Sequence, residues 1–419
     1  MPSDFSQSDQ KREADKRDQK READKRDQKR EADKRGQREA DKRGQREADK
    51  RGQKREADKR GQREAAKRDK NMNTVKDKGR SSILMIYTGG TIGMKQDPAD
   101  QTLKPFDFSQ ILEEVPELGK FAFRIDSYTF NPLIDSSDVE PSLWQELAAL
   151  IRDRYDDYDG FVILHGTDTM SFSASALSFM LDNLSKPVIF TGSQLPIGVP
   201  RTDGKENLVS AVEIASAKDE NGQAMVPEVC VFFDSHLLRG NRSTKVNSEY
   251  FNAFRSPNWP PLAEAGVTIR YNRDIIRKPT VSPLKVQLDL DTRVSIVKIH
   301  PGMTPEVMRY LLCGTETRAV ILETYGAGNA PSAEWFLDIV RDACAMGKLI
   351  VNVTQCLWGS VNMDLYATGK ALKSAGAVSA FDATTESALA KLFFLLGKGL
   401  PTELVKKAFE ENLRGEISI

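Results

Sequence analysis

Three short segments of the chain place hydroxyl, carboxylate and amine side chains directly after apolar runs. The first carries Thr88 and Thr91 around two glycines, the second carries Thr167 beside Asp168, and the third ends in Lys245. A threonine hydroxyl is a weak nucleophile near neutral pH and needs an adjacent base. A lysine amine that is shielded from water can act as that base, and a carboxylate can orient it. Together these residue types are typical of acyl transfer.

Taken one at a time, the same segments have ordinary explanations. The loop at residues 88–93 could cradle phosphate through its backbone N–H groups, but it lacks the lysine of a P-loop and the GxGxxG of a dinucleotide site. Thr167 and Asp168 open a predicted helix, and both residue types are common N-caps. A lone lysine such as Lys245 is usually solvated. The prediction of a reactive site therefore depends on the three segments meeting in space.

From residue 83 onward, short apolar runs alternate with amphipathic segments, which is typical of helices that cover a largely parallel sheet. The predicted strands are Ile83–Tyr87, Phe161–Leu164, Val188–Phe190, Val229–Phe233, Val294–Ile299, Ala319–Leu322 and Leu349–Val353. The predicted helices are Pro141–Tyr155, Ser171–Asn183, Asn207–Ala217, Pro305–Leu312, Ser332–Met346, Ser387–Leu396 and Thr402–Asn412. The candidate segments follow predicted strands, and ligands of open α/β sheets bind at the carboxyl ends of strands.

The formal net charge of zero conceals two segments of opposite charge. The chain has 419 residues, with 61 Lys+Arg and 61 Asp+Glu. Residues 1–82 hold 29 basic and 19 acidic side chains, or +10, so residues 83–419 hold 32 and 42, or −10. Units such as QKREADKRD repeat through residues 10–70 with alanine as their apolar residue, so we expect a disordered or partly helical arm without a core. Nucleic-acid binding is not expected, because acidic residues are interleaved and aromatic residues are absent from the repeats.

Composition and pattern divide the chain into four parts. Residues 1–82 form the charged arm, and residues 83–270 form a larger domain that carries the candidate residues. Residues 271–293 include Pro279 and Pro283 without a clear period and are predicted to be a linker. Residues 294–419 form a smaller second domain.

The composition also argues against several other classes of protein. No run of about 18 apolar residues occurs, and the N-terminus lacks the apolar stretch of a signal peptide, so neither a membrane span nor secretion is expected. Four cysteines without paired spacing do not suggest a disulfide scaffold, and three histidines without a CxxC pattern offer little for a zinc site. We therefore expect a cytoplasmic protein.

Longer motifs, in order along the body, resemble the bacterial-type L-asparaginases. They are TGGTIG (88–93), IDSSD (134–138), YDGFVILHGTDTM (158–170), TGSQ (191–194), RGNRSTK (239–245), YGAGNAP (325–331), TQC (354–356) and NLRGE (412–416). The resemblance runs over residues 83–419, excludes the arm, and favours the cytoplasmic type I branch. It implies a larger N-terminal α/β domain with a mixed sheet flanked by helices, and a smaller C-terminal α/β domain with a parallel sheet.

The resemblance further implies hydrolysis of L-asparagine to L-aspartate and ammonia, without metal or cofactor and with minor glutaminase activity. Thr91 corresponds to the nucleophile, which attacks the side-chain amide carbon and forms an acyl-enzyme. Thr167, Asp168 and Lys245 correspond to a second triad, with Lys245 as the base toward Thr167. Which threonine attacks first stays open at this point.

Substrate-binding residues follow from the same motifs. Asp168 would also meet the α-ammonium group of the substrate, while Asp135, Ser136 and Ser137 correspond to the loop that holds its α-carboxylate. Backbone N–H groups near Gly90 and Thr167 would stabilise the oxyanion. In the family the sites form between subunits, commonly in a homotetramer built of dimers, and Asn329 corresponds to a residue lent by the neighbouring subunit.

Two positions depart from the family pattern. The family's lid after the first threonine usually holds a tyrosine, whereas Met94 to Phe106 here contain none. Type I members also bind asparagine at an allosteric site through an arginine before the Tyr-Gly turn, and this chain has Glu323 there. Thr354 and Cys356 match the rest of that site, but Glu323 would repel the carboxylate of the effector. We therefore expect asparagine cooperativity to be weakened or altered.

Two other functions compete with this interpretation. An amidase subunit that supplies ammonia to a tRNA-dependent amidotransferase shares the body motifs, but such subunits usually carry a folded N-terminal domain. A non-catalytic scaffold that acts through the arm is disfavoured by the intact set of Thr91, Thr167, Asp168 and Lys245.

Overall fold

The computed structural model describes residues 72–73, 81–96, 103–105, 111 and 113–418. All of them belong to the unit formed by residues 71–419. The repeats at residues 10–70 lie outside the described residues. Within the described part of the chain, no helix has both the length and the apolar character that a membrane crossing requires.

Nineteen strands and eight helices organise these residues. The strands are β1 (Met72–Asn73), β2 (Ser82–Tyr87), β3 (Met94–Gln96), β4 (Leu103–Pro105), β5 (Arg124–Thr129), β6 (Gly160–Leu164), β7 (Leu181–Asp182), β8 (Val188–Thr191), β9 (Val229–Phe233), β10 (His236–Arg239), β11 (Thr244–Lys245), β12 (Phe254–Arg255), β13 (Ala263–Ala265), β14 (Ile269–Tyr271), β15 (Lys285–Val286), β16 (Val294–Lys298), β17 (Ala319–Thr324), β18 (Leu349–Thr354) and β19 (Val378–Ser379). The helices are α1 (Pro141–Asp153), α2 (Met170–Met180), α3 (Gly204–Ser216), α4 (Pro305–Cys313), α5 (Glu334–Ala345), α6 (Ala367–Ser374), α7 (Thr385–Gly397) and α8 (Thr402–Phe409).

A nine-stranded mixed sheet forms the centre of the larger domain, in the order β1-β5-β2-β6-β8-β9-β10-β13-β14. Its central strands, from β5 to β9, pair in parallel, and the strands at both edges pair antiparallel. Four of the central strands, β2, β6, β8 and β9, are largely apolar because both of their faces are covered, whereas β5 includes charged and polar residues. In β2, Ile83 and Met85 face one core while Leu84 and Ile86 face the other, and all four are essentially buried.

The smaller domain is built on a four-stranded parallel sheet, in the order β16-β17-β18-β19. Threonine hydroxyls begin two of its helices: Thr304 accepts from the N–H of Val307 at the start of α4, and Thr384 accepts from the N–H of Ser387 at the start of α7. Helix α7 also packs against α2 of the larger domain, where the rings of Phe179 and Phe394 stack with centroids 6.0 Å apart. The predicted fold class, a larger mixed-sheet domain and a smaller parallel-sheet domain, is confirmed.

The predicted elements are present with shifted ends. Helix α2 ends at Met180, three residues before the predicted Asn183, because Leu181–Asp182 pairs with Lys285–Val286 as a short antiparallel ribbon. That ribbon ties part of the predicted linker to the larger domain. Helix α8 ends at Phe409, because Asn412 and the residues after it turn back and bond to one another. The prediction does not include β5, a six-residue strand that pairs in parallel with β2, because charged and polar residues interrupt its sequence RIDSYT. It also lacks β19, the short antiparallel strands and α6, since they have no long apolar run.

Candidate active site

The loops after β2, β6 and β8 emerge side by side. Tyr87 pairs with Leu164, and Leu164 pairs with Thr191, so the last residues of the three strands are in register. The Thr88 N–H and hydroxyl both bond to the carbonyl of Leu164, at 3.0 Å each, which carries the alignment beyond the strand ends. The parallel sheet therefore brings together the first two candidate segments.

Two glycines allow the first loop to touch the others. A Cβ on Gly89 would lie 2.1 Å from the carbonyl oxygen of Ile134, and a Cβ on Gly90 would lie 2.5 Å from backbone atoms of Gly166. Both glycines have positive φ, at 138° and 94°. Thr91 follows directly and begins a 3-10 turn, Thr91–Gly93. Its position is therefore set by backbone contacts that only glycine permits.

Ser136, in the loop after β5, bonds to the loop after β6 that carries Asp168. Its hydroxyl lies 3.3 Å from the N–H and 3.4 Å from the carboxylate of Asp168, and its carbonyl accepts from the Thr169 hydroxyl at 2.7 Å. Asp135 does not reach this cluster by a hydrogen bond. Its carboxylate instead accepts from the N–H and hydroxyl of Ser137 at 2.9 and 2.8 Å, and the backbone N–H of Ser137 is the main reason that the pKa of Asp135 lies below its usual value.

Lys245 connects Thr167 to Asp168. Its Nζ donates to the Thr167 hydroxyl at 2.8 Å and forms an ion pair with the Asp168 carboxylate at 2.7 Å. The lysine side chain is only 19% exposed, whereas that of Asp168 is 62% exposed. A shielded amine needs such partners, because burying an unpaired ammonium is unfavourable. One oxygen of the Asp168 carboxylate thus orients Lys245, while the carboxylate itself stays open to solvent.

The alternative N-cap explanation does not hold for Thr167 and Asp168. The residue that precedes α2 is Thr169, and no side chain caps this helix. Both candidates turn instead toward Lys245.

Contacts from the smaller domain hold the strand that carries Lys245. Thr244 donates to the carboxylate of Glu386 at 2.6 Å, and Arg242, which is 1% exposed, pairs with Asp382 at 2.8 Å. Burial raises the pKa of Glu386 above its usual value. These residues come from α7 and the loop before it, far along the chain, so no local sequence pattern marks them.

Gln194 is a site residue that the sequence analysis did not assign. Its side-chain carbonyl lies 3.4 Å from the hydroxyl of Thr167, and its amide group donates to the carbonyl of Tyr250 at 3.3 Å. Its backbone N–H bonds to the carboxylate of Asp203. The strand-end rule could have found it, since Gln194 follows β8 directly in the TGSQ motif.

Comparisons with known proteins identify the family of this chain. Residues 82–277 match the family model "Asparaginase, N-terminal", and residues 293–409 match "Glutaminase/Asparaginase C-terminal domain". L-asparaginase 1 of Escherichia coli (strain K12) is 45% identical over 342 residues, which cover 81% of this chain and 98% of the relative. The chain belongs to the asparaginase family.

Two further similar proteins extend the comparison. The 60 kDa lysophospholipase of Mus musculus is 40% identical over 362 residues, which cover 80% of this chain and 62% of the mouse protein. The crystal structure of L-asparaginase I from Vibrio cholerae is 42% identical and matches with a TM-score of 0.74, covering 81% of this chain and 100% of that chain.

The remaining candidate residues lie in the smaller domain. Glu323, Thr354 and Cys356 line one cavity of about 260 Å³, together with Glu386. The Thr385 hydroxyl donates to Glu323 at 2.6 Å, and Lys298 lies 4.0 Å from the other oxygen of that carboxylate. The cavity is separate from the cluster around Lys245, but Thr244 lines it and adjoins Lys245 in β11.

Asn329 lies in the turn after β17 and forms a β-bridge with Tyr325. Its side-chain carbonyl accepts from the hydroxyl of Thr368 at 2.8 Å. In the described part of the chain, no hydrogen bond joins Asn329 to Thr91, Thr167 or Lys245.

The two ends of the lid hairpin are described. Strands β3 and β4 pair antiparallel, with Met94 opposite Pro105 and Gln96 opposite Leu103. Residues 97–102 and Phe106 lie outside the described residues. Among the described residues, no group of three or more His, Cys, Asp or Glu side chains could hold a metal ion.

Proposed function

We propose that this protein is an L-asparagine amidohydrolase that converts L-asparagine and water to L-aspartate and ammonia. The observation that carries the proposal is the bridge made by Lys245, whose Nζ lies 2.8 Å from the Thr167 hydroxyl and 2.7 Å from the Asp168 carboxylate. A hydroxyl, an amine and a carboxylate in mutual contact are the parts of an activated nucleophile. Family membership and the L-asparaginase names of relatives at 45% and 42% identity support the same substrate.

In the proposed reaction, the Thr91 hydroxyl attacks the side-chain amide carbon, and its proton is transferred to the amide nitrogen that will leave. The tetrahedral intermediate places a negative charge on the former carbonyl oxygen, which the N–H groups of Gly90 and Thr167 stabilise. The C–N bond then breaks, and the nitrogen leaves as ammonia with the added proton. Water next attacks the resulting ester, where Lys245 acts as base through Thr167, and this step releases L-aspartate and restores Thr91.

The exposed side of Asp168 is proposed to bind the α-ammonium group of the substrate. Lys245 occupies one oxygen of Asp168, and the second oxygen is held near Ser136 on the exposed side of the carboxylate, where an ammonium group could pair with it. Ser136 and Ser137 supply hydroxyl and N–H donors for the α-carboxylate. Asp135 orients Ser137 in this arrangement, because its own negative charge would repel the substrate carboxylate.

The oligomer and the location are part of the proposal. Type I relatives are expected to form dimers of dimers, and Asn329 would then serve the site of a neighbouring copy. Among the described residues, its side chain bonds to Thr368 and not to the cluster of its own chain. A cytoplasmic location is proposed from the resemblance of the motifs to the cytoplasmic type I branch. The alternative of an amidotransferase subunit is weaker, because the similar proteins at 45% and 42% identity carry L-asparaginase names.

Steady-state ammonia release over a range of L-asparagine concentrations tests the proposal, with L-glutamine as the second substrate. We expect hydrolysis of asparagine to exceed that of glutamine. Lack of hydrolysis of both amides by the folded protein would overturn the proposal.

The nucleophile is tested separately with Thr91→Ala. Removing a nucleophile should lower kcat by at least about 10³-fold while the fold is retained. Thr88→Ala is the matched control, because the Thr88 hydroxyl is buried and bonded to the carbonyl of Leu164. Wild-type activity in Thr91→Ala would refute the assignment of Thr91.

A further inference from the structure

A buried chain of polar side chains runs from helix α1 to the loop that carries Thr167. Trp144 donates through its indole N–H to the Ser173 hydroxyl at 2.9 Å. The Ser173 hydroxyl lies 3.0 Å from Nε2 of His165, and Nδ1 of His165 lies 2.7 Å from the carbonyl oxygen of Gly166. Ser173 is fully buried, and His165 and Trp144 are 1% and 5% exposed.

The chemistry of the two ends fixes every proton in this chain. An indole N–H can only donate, so the oxygen of Ser173 accepts from Trp144 and its single proton goes to Nε2 of His165. A carbonyl oxygen can only accept, so Nδ1 must carry the proton and donate to Gly166. Both ring nitrogens of a neutral His165 are therefore satisfied, and no other tautomer fits both neighbours.

The last hydrogen bond of the chain determines the orientation of one peptide group. The peptide that joins Gly166 to Thr167 is planar, so holding its carbonyl oxygen toward His165 aims the Thr167 N–H to the opposite side. Within the described part of the chain, this N–H donates no hydrogen bond. The same peptide is confined from the other directions, because a Cβ on Gly166 would lie 2.5 Å from the Ser136 hydroxyl and one on Gly90 would lie 2.5 Å from Gly166.

We propose that His165 is a positioning residue, which holds the Gly166–Thr167 peptide so that the Thr167 N–H stays aimed at the oxyanion of the tetrahedral intermediate. The inference deepens the proposed function and rests on it. His165 itself touches neither substrate nor reacting atoms, since it is buried and both nitrogens are engaged. Burial lowers the pKa of His165 to about 4, which keeps the ring in the neutral state that the proton order requires.

Kinetics of the full-length protein with His165→Phe test this role. Phenylalanine keeps a ring of similar shape in the buried space but cannot donate to Gly166. An oxyanion donor acts in the transition state and not in substrate binding, so we expect kcat to fall at least about tenfold while KM changes less than about twofold. Ser173→Ala removes the hydroxyl that donates to Nε2 of His165, and it should lower kcat by a smaller factor than His165→Phe does. It also carries the test if His165→Phe does not fold.

A second measurement uses ligands that differ in the geometry of the reacting carbon. The aldehyde carbon of L-aspartate β-semialdehyde can accept a threonine hydroxyl to form a tetrahedral hemiacetal, whereas the product L-aspartate stays planar there. His165→Phe should weaken inhibition by the semialdehyde by about the same factor as kcat and leave inhibition by aspartate unchanged. Leu177→Ala, in the apolar core on the same helix as Ser173, is the control for a general loss of stability. Leu177→Ala should lower the melting temperature without changing the ratio of the inhibition constants for the semialdehyde and for aspartate.

The outcomes separate the inference from the proposed function. A wild-type protein that does not hydrolyse asparagine refutes the proposed function and with it this inference. An active wild type whose folded His165→Phe variant keeps kcat within about twofold refutes the inference alone. A parallel loss of affinity for aspartate and semialdehyde, matched by Leu177→Ala, would mean that His165 only stabilises the fold.

Discussion

At the scale of single residues, the site depends on where a few polar groups find partners. Lys245 is mostly shielded from water and holds two partners, whereas Asp168 keeps an exposed side. His165 opens the HGTDTM motif but lies buried with both nitrogens bonded. The reactive and the structural polar residues are thus distinguished by accessibility and by hydrogen-bond partners, and residue type alone does not separate them.

Lys245→Met should lower kcat by about 10²- to 10⁴-fold, the usual range for loss of a general base. Stability should change by less than about 1 kcal/mol, because the carboxylate partner is largely exposed and surface pairs contribute little. Lys218→Met is a matched control, since Lys218 pairs with Asp159 at 2.9 Å outside the site. Kinetics and urea denaturation of both variants check the prediction, which fails if the two variants are equally active.

The buried state of His165 predicts a pH dependence of stability. Its pKa lies near 4 in the folded protein, because burial disfavours the charged ring, and its ordinary value is 6.5. Between pH 4 and pH 6.5 the unfolded chain binds more protons than the folded chain. The free energy of unfolding is therefore highest above about pH 6.5 and declines as the pH falls toward 4. The wild type should therefore lose about 2–3 kcal/mol more than His165→Phe between pH 7 and pH 4.5. Urea denaturation at both pH values measures this difference, and a constant difference would contradict it.

At the scale of elements, parallel strands in register determine which loops meet. The ends of β2, β6 and β8 align, and the glycines after β2 allow backbone to pack on backbone. The third component, β11, lies outside this sheet in a two-stranded ribbon with β12, and it is held by a contact with α7. The site is therefore made by one sheet edge together with a strand that the smaller domain supports.

Gly90→Ala should lower both stability and kcat, because the added Cβ meets the backbone of Gly166 and because φ is positive. Gly222→Ala separates the two causes. Gly222 also has a positive φ, of 74°, but a Cβ there would have nothing within 4 Å. We expect a loss of about 1–2 kcal/mol for Gly222→Ala from backbone strain alone, with unchanged kcat. Gly90→Ala should lose more stability and lower kcat at least about tenfold, as thermal melts and kinetics would measure.

At the scale of the whole molecule, the smaller domain has a direct structural connection to the site. Its cavity is lined by Glu323 and Glu386, and Glu386 bonds to Thr244 beside Lys245. Two carboxylates in one cavity oppose the binding of a ligand that carries its own carboxylate. The connection is present, and we predict that the two carboxylates, which outnumber the one lysine among the described residues that line the cavity, Lys298, disfavour the binding of asparagine.

We therefore expect a Hill coefficient near one for asparagine hydrolysis. The measurement is initial rate against asparagine concentration for the wild type and for Glu323→Ala and Thr354→Ala. Strong cooperativity that persists in Glu323→Ala but disappears in Thr354→Ala would contradict the expectation, because asparagine would then bind the cavity without hindrance from Glu323.

The sequence by itself determined the α/β class, the apolar parallel strands and the long helices, because a strand covered on both faces is usually apolar and the helices that cover it are amphipathic. It did not reveal β5, whose charged and polar residues break that pattern. It also determined the candidate residues Thr91, Thr167, Asp168 and Lys245, since their types and motifs carry the chemistry. Only the tertiary structure decided that Lys245 is shielded and lies between Thr167 and Asp168. The structure also decided that Asp135 bonds to Ser137. Finally, it placed three further residues around the site: Glu386, Gln194 and Ser173. These facts depend on contacts between residues up to 142 positions apart, as between Thr244 and Glu386, and burial and hydrogen bonding at that separation have no local sequence signal.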